Sequence, residues 1–232
     1  MHWNKGSSNL VNKLHDIETI VEQYTPHLLG LSESNLRKGD NLTDVQLEDY
    51  SLHTCPTMEN PNHGVSRVVV YTHKSLRANP RPDLMNPLVS AVWLEVGLPR
   101  KQRFLVCNAY REWGYPNQPD RQSHSITAQK TRWSLFLEGW EAAIKEDKEI
   151  IVLGDMNLCH LKWMQQNLVQ SDPAYKLRHL TQELFDRIIP QGFCQLVQGV
   201  SHIRQGQEKS GLDHLFSDKQ TIRHQPLNKL CI

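Results

Sequence analysis

The sequence predicts a helix-flanked β-sandwich. Three observations point there. Strand-like apolar runs outnumber helical stripes, the helices arrive singly instead of alternating with strands, and several strand runs are apolar throughout, as strands covered on both faces are. A doubly wound parallel sheet demands stricter alternation and fits less well.

Taken in order, the short run His2-Trp3 leads to Asn4. Leu10, Leu14, Ile17, Val21 and Tyr24 then recur at helical spacing, and Pro26 ends the stripe. Apolar, partly β-branched runs at Leu28–Leu31, Val65–Tyr71, Val89–Val96 and Arg103–Tyr110 read as strands. The polar, proline-containing stretch Gly114–Ser125 reads as a surface or substrate loop. A second helix carries Trp133, Phe136, Leu137, Trp140 and Ile144, with Thr127 as its expected cap; the two tryptophans are core residues. Glu149–Leu153 is a buried strand that Gly154 breaks, leaving Asp155 and Asn157 on the turn beyond. Leu177, Leu180, Leu184 and Ile188 make a third helix, announced by Asp172-Pro173 and closed by Pro190 and Gly192. A last strand runs over Gly211–Phe216.

No Pro/Gly/Ser-rich linker divides the 232 residues, so one domain is expected, with six tryptophans and 38% apolar residues to build its core. The five cysteines (55, 107, 159, 194 and 231) are scattered, odd in number and never in a CxxC pair. That excludes a zinc module or disulfide framework and fits a reducing, intracellular setting, nuclear or cytoplasmic. Twelve histidines without HxH or HxxxH spacing say the same of zinc, and His160 is expected to serve a loop. No run approaches the ~20 apolar residues of a membrane helix, and no leader pattern opens the chain. The net charge of +1 neither requires nor forbids a nucleic-acid partner, which local basic patches decide. Arg100-Lys101-Gln102-Arg103 is a basic hairpin candidate within reach of a DNA backbone, but a solvated turn is the better reading of it.

The strand ends carry the chemistry. Asn4 follows the first run, Ser32-Glu33 the second, Tyr110-Arg111 the fourth long one, Asp155 and Asn157 the next, and Ser210-Gly211-Leu212 leads to Asp213. Glu33 is a hard oxygen ligand suited to Mg²⁺ or Mn²⁺. Asp155 is suited to deprotonating a water, Asn157 and Asn4 to orienting it or holding a phosphate oxygen, and Tyr110 with Arg111 to stabilising phosphate charge. Together they equip metal-assisted phosphodiester hydrolysis. Singly each has an ordinary reading: Asp155 as a turn former, Glu33 as a solvated strand-end carboxylate, Tyr110 as a half-buried core aromatic, Asp213-His214 as an exposed turn.

The ordered series Trp3-Asn4, Leu31-Ser32-Glu33, Asn108-Ala109-Tyr110-Arg111, Gly154-Asp155-Met156-Asn157 and Ser210-Gly211-Leu212-Asp213 resembles the endonuclease/exonuclease/phosphatase family. The likeness is greatest to the endonuclease domains of non-LTR retrotransposons, relatives of apurinic/apyrimidinic endonucleases, and spans residues 1 to about 218. It implies an α/β (α+β) four-layered sandwich, with two packed mixed sheets flanked by helices. It also implies Mg²⁺-dependent attack of water on a DNA phosphodiester, with neither a membrane nor a stable protein partner. By the resemblance Glu33 looks like the metal ligand, Asp155 like the residue that positions or deprotonates the water, and Tyr110 like a phosphate contact. Asn157 and Asn4 look like supports of phosphate and metal, and Asp213 like the carboxylate that orients a catalytic histidine.

Two departures stand out. Gly6 occupies a position where the family usually has an aspartate or asparagine. The family's closing Ser-Asp-His is absent, since 19 residues follow Asp213 and none forms it. Arg223-His224-Gln225-Pro226 only faintly matches that ending, so residues 219–232 are expected to be a divergent or truncated tail and the last strand to be missing. Loss of such a charge-stabilising group typically lowers rate by ~10²–10⁴-fold. Three readings follow: an endonuclease, active or impaired; a catalytically dead remnant that binds nucleic acid or a partner; and a family member acting on lipid or inositol phosphates, which the retroelement-like segments disfavour.

Overall fold

A computed structural model describes residues 1–4, 9–61, 64–97, 103–112, 126–158, 178–197, 202–204, 207–210 and 213–218; for residues 3, 4, 202–204 and 207–210 it describes the backbone alone. Strand β1 (His2–Asn4) leads to a short 3-10 turn over Leu10–Lys13, whose Asn9 side chain accepts the Val11 N–H at 3.1 Å. Helix α1 (Leu14–Tyr24) follows and stops where Thr25 turns left-handed. Next come β2 (Leu28–Arg37), β3 (Tyr50–Thr54), β4 (Val65–His73), β5 (Arg77–Pro80), β6 (Ala91–Gly97) and β7 (Arg103–Tyr110). Helix α2 (Ile126–Ile144), β8 (Glu149–Asp155) and α3 (Arg178–Arg187) complete the second half with the short strands β9 (Cys194–Gln195), β10 (His202–Arg204), β11 (Gln207–Ser210) and β12 (Asp213–Ser217).

Two mixed sheets carry the fold. One has the order β1-β2-β4-β3, the other β5-β6-β7-β8-β12-β9, and β10 with β11 forms a separate ribbon. The pairs β1–β2 and β7–β8 are parallel, while the other pairs in these sheets are antiparallel. Period-2 alternation sorts the side chains into layers. Leu29, Leu31, Val69 and Tyr71 pack beneath Leu10 and Ile17 on one outer face. Val68, Val70, Val92, Leu94, Val96 and Val106 meet between the sheets. Trp93, Cys107, Val152 and Phe216 pack under Trp133, Leu137 and Trp140 of α2 and Leu180 and Leu184 of α3. The result is the expected four-layered α/β-sandwich. Fully buried Trp140 touches the rings of Phe136, Phe193 and Phe216 with centroids 5.2 to 5.7 Å apart, and Trp133 Nε1 donates to the Leu180 carbonyl at 2.9 Å, locking α2 to α3.

Several expectations need correction. The strand at Leu28 continues to Arg37 through Ser32-Glu33-Ser34-Asn35, where the register with β4 is irregular and Glu33 and Asn35 take positive φ of 59° and 51°. Polar residues in a bulge do not read as strand, yet Leu36 and Ser34 are fully buried. β3 and β5 were not foreseen, because both are short and polar. Thr127 lies inside α2 instead of capping it, and its carbonyl accepts the Thr131 hydroxyl at 3.1 Å. Gly154 does not break β8: the strand passes through it to Asp155, because at φ 142° its missing Cβ leaves room for the Ala109 carbonyl. Asp213 begins β12 instead of following a strand end, and His214 is buried beside it, so neither is an exposed turn. Gly6, the whole 114–125 loop, Arg100 to Gln102, Cys159, His160, Asp172-Pro173, Cys231 and the tail with His224 lie outside the described residues, as does the expected loss of a last strand.

Candidate active site

Three neighbouring strands of the larger sheet end side by side. In the parallel β7–β8 pair Tyr110 lies opposite Asp155, and in the antiparallel β8–β12 pair Asp155 lies opposite Asp213. The three residues are therefore abreast on one sheet, although 103 positions separate Tyr110 from Asp213. The smaller sheet faces them. Asn4 lies opposite Ser32 in β1–β2, and Glu33 follows in the bulge.

Polar contacts join the sheets at this end. The Tyr110 hydroxyl donates to Glu33 Oε1 at 3.0 Å. Burial, then the negative charges of Glu33 and Asp155, push the Tyr110 hydroxyl well above its ordinary range, so it stays a donor. On the other flank His2 Nδ1 lies 3.4 Å from Asp213 Oδ1, and its Nε2 is 2.8 Å from Ser32 Oγ. Burial, and secondarily the Met1 ammonium, lower His2 to about 3, so at neutral pH it is an uncharged imidazole beside a carboxylate. Beneath both, Asn108 Nδ2 donates to the carbonyls of Leu31 and Val69 at 3.1 and 3.0 Å.

The turn after β8 is held from two sides. Asp155, only 3% exposed, accepts the Asn157 N–H on Oδ1 at 2.8 Å, and Asn157 sits at φ 47°. Asn157 Nδ2 donates to the Arg111 carbonyl at 2.7 Å. Arg111 was expected to meet phosphate, but the structure places it inside, 9% exposed. Its Nε donates to Met156 O, its Nη2 to Asn157 O and its Nη1 to Gln129 Oε1, at 2.6, 2.7 and 2.9 Å. Burial lowers the guanidinium to about 10, partly offset by Asp155, and it remains a cation at neutral pH. Asp213-His214 also turns inward: His214 Nε2 faces Leu158 O at 2.8 Å and Nδ1 faces Gln195 Nε2 at 3.0 Å.

The structure thus brings Glu33, Tyr110, Asp155, Asn157 and Asp213 to one end of the sandwich, with the backbone of Asn4 beside Ser32. Sequence reasoning gave no role to His2, Asn108 or Gln129. Two of them left a trace there: Asn108 opens the Asn108-Ala109-Tyr110-Arg111 motif, and His2 is two residues from Asn4 and hence on the same face of a strand.

The donor set fits a hard divalent cation. Among the described residues no three His, Cys, Asp or Glu side chains gather into a metal cluster. Magnesium nonetheless needs only one or two carboxylates and keeps its waters, and the charges of Glu33 and Asp155 both act on the Tyr110 hydroxyl.

A two-sheet sandwich with a polar, carboxylate-bearing end between its sheets is the architecture of a hydrolase class. The profile of the Endonuclease/Exonuclease/phosphatase family matches residues 1–224, and the chain belongs to that family. Among solved structures it resembles the endonuclease domain of TRAS1, a telomere-specific non-LTR retrotransposon (16% identity, TM-score 0.58), over 93% of this chain and 82% of that one. It resembles the Neisseria 3′ phosphatase NExo bound to product DNA hairpin (14% identity, TM-score 0.61; 93% and 84% covered). It also resembles the AP endonuclease LMAP of Leishmania major (16% identity, TM-score 0.57; 93% and 77% covered). At such identities these likenesses speak for the fold. No curated protein gives a significant match.

Proposed function

We propose that the chain is a metal-dependent phosphodiester hydrolase of endonuclease type, acting on DNA and derived from a retroelement. The observation that carries this is the alignment of Tyr110, Asp155 and Asp213 on adjacent strands, facing Glu33 across the sheets. Glu33 would hold Mg²⁺, or Mn²⁺, which when bound neutralises charge on the phosphate oxygens. Asp155, its Oδ1 held by the backbone N–H of Asn157, takes the proton of the attacking water. Tyr110, kept protonated, offers its hydroxyl to a phosphate oxygen, and Asn157 offers the second N–H of the amide that already holds Arg111 O. Asp213 meets a histidine, but it is His2 from β1, and that imidazole is neutral. A neutral donor stabilises developing phosphorane charge less than an imidazolium, so slower cleavage than with a charged histidine is the expectation to test.

The test is nicking of supercoiled plasmid and of abasic duplex DNA in Mg²⁺. Glu33→Gln and Asp155→Asn should each lower cleavage by at least ~10²-fold. Cleavage indifferent to both substitutions overturns the site. The uncharged His2 beside Asp213 supports a second reading, a binding remnant: it predicts DNA binding without turnover in the same assay. Faster turnover of inositol phosphates than of DNA would instead reassign the substrate.

A further inference from the structure

We propose that Arg111 and Gln129 are positioning residues that fix the Asp155–Asn157 turn, an inference that rests on reading Asp155 as the base. Asn157 occupies the left-handed region at φ 47°, a conformation that a non-glycine residue holds only when its surroundings enforce it. The enforcement is visible bond by bond. The Arg111 N–H donates to Asp155 O at 3.0 Å, and the guanidinium spans the two following carbonyls of Met156 and Asn157. Asn157 Nδ2 returns to Arg111 O, which closes the ring of contacts. Gln129 receives Nη1 from the side of α2, so the position of the turn is referenced to the outer helical layer.

Geometry separates this role from phosphate binding. The guanidinium has five donors in a rigid plane, and three of its nitrogens are engaged on protein oxygens. A lysine cannot substitute, because one ammonium does not span Met156 O, Asn157 O and Gln129 Oε1 at once. Misplacing a reacting carboxylate by about 1 Å costs on the order of 10²-fold in rate.

The experiment uses the full chain with Arg111→Lys, Arg111→Met and Gln129→Leu. Plasmid nicking is measured against DNA and salt concentration, and amide hydrogen exchange at Asn157 is measured in parallel. Positioning predicts that kcat per folded molecule falls on the order of 10²-fold for both Arg111 variants and roughly tenfold for Gln129→Leu. KM and the salt dependence should be unchanged, and Asn157 should lose protection. A raised KM with a salt slope reduced by about 1 would make Arg111 a phosphate contact and overturn the proposal. Lowered stability with unchanged kcat per folded molecule overturns it equally. Should Asp155→Asn cleave like the wild type, the reading of the site fails. The exchange measurement still decides the inference in that case, because unaltered Asn157 protection in all three variants refutes the clamp without reference to activity.

Discussion

Replacing Asn108 by alanine tests how the two sheets are joined beneath the site. Its side chain is fully buried, and its Nδ2 donates to both Leu31 O on β2 and Val69 O on β4. The amide orientation is dictated by chemistry, since the opposite flip would set oxygen against two carbonyl oxygens. Each bond is worth about 0.5–1.5 kcal/mol net. Truncation removes both bonds and opens a small void, which adds to that loss. Against it stands one relief: Asn108 Oδ1 has no hydrogen-bond partner among the described residues, and alanine removes that unsatisfied atom. The balance is a destabilisation of about 2 kcal/mol, or roughly 4–8 °C in Tm for a chain of this size. Asn108 also lies two residues before Tyr110 on the same strand. Loosening the sheets there should lengthen the 3.0 Å Tyr110–Glu33 contact and lower nicking per folded molecule. Urea unfolding followed by tryptophan fluorescence, with the nicking assay beside it, measures both effects. A loss below about 0.5 kcal/mol with full activity would refute the view that these two bonds set the spacing of the sheets.

Two other expectations follow from the same end of the sandwich. A Cβ at Gly154 would lie 1.8 Å from Ala109 O, and the φ of 142° suits glycine alone, so Gly154→Ala should cost about 3–5 kcal/mol by strain and overpacking; denaturant titration showing under ~1 kcal/mol would contradict the close β7–β8 approach. His2 is lowered from 6.5 to about 3 in the folded protein, so between those values the unfolded chain binds the extra proton and stability falls as pH falls. From pH 7 to pH 5 that contribution is roughly 2 kcal/mol, and His2→Gln should remove it from the pH profile of unfolding. An unchanged profile in the variant would mean that His2 titrates alike in both states.

The layers were legible wherever apolar spacing was long. The stripes of α1, α2 and α3 keep their helical spacing in the burial pattern, the runs of β4, β6 and β7 are buried almost throughout, and β8 alternates. β2 was half legible. Its polar bulge hides the strand, because Ser32 and Ser34 are buried by packing between layers that local propensity does not register. β3, with its alternating Tyr50, Leu52 and Thr54, was passed over because a five-residue strand carries too few periods to stand out.

The candidate site divides along the same line. Which residues are candidates for the chemistry was legible in the chain order of Asn4, Glu33, Tyr110, Asp155, Asn157 and Asp213, since residue type and strand-end placement are local properties. What those residues touch was decided by tertiary structure alone. Strand register sets Tyr110, Asp155 and Asp213 abreast, and the packing of one sheet on the other turns Tyr110 toward Glu33 and Asp213 toward His2. It also turns the Arg111 guanidinium onto the carbonyls of Met156 and Asn157 in the turn beside it. The physical reason is that register and sheet-on-sheet packing depend on contacts between residues far apart in the chain, and neither residue type nor local spacing encodes which partners will meet.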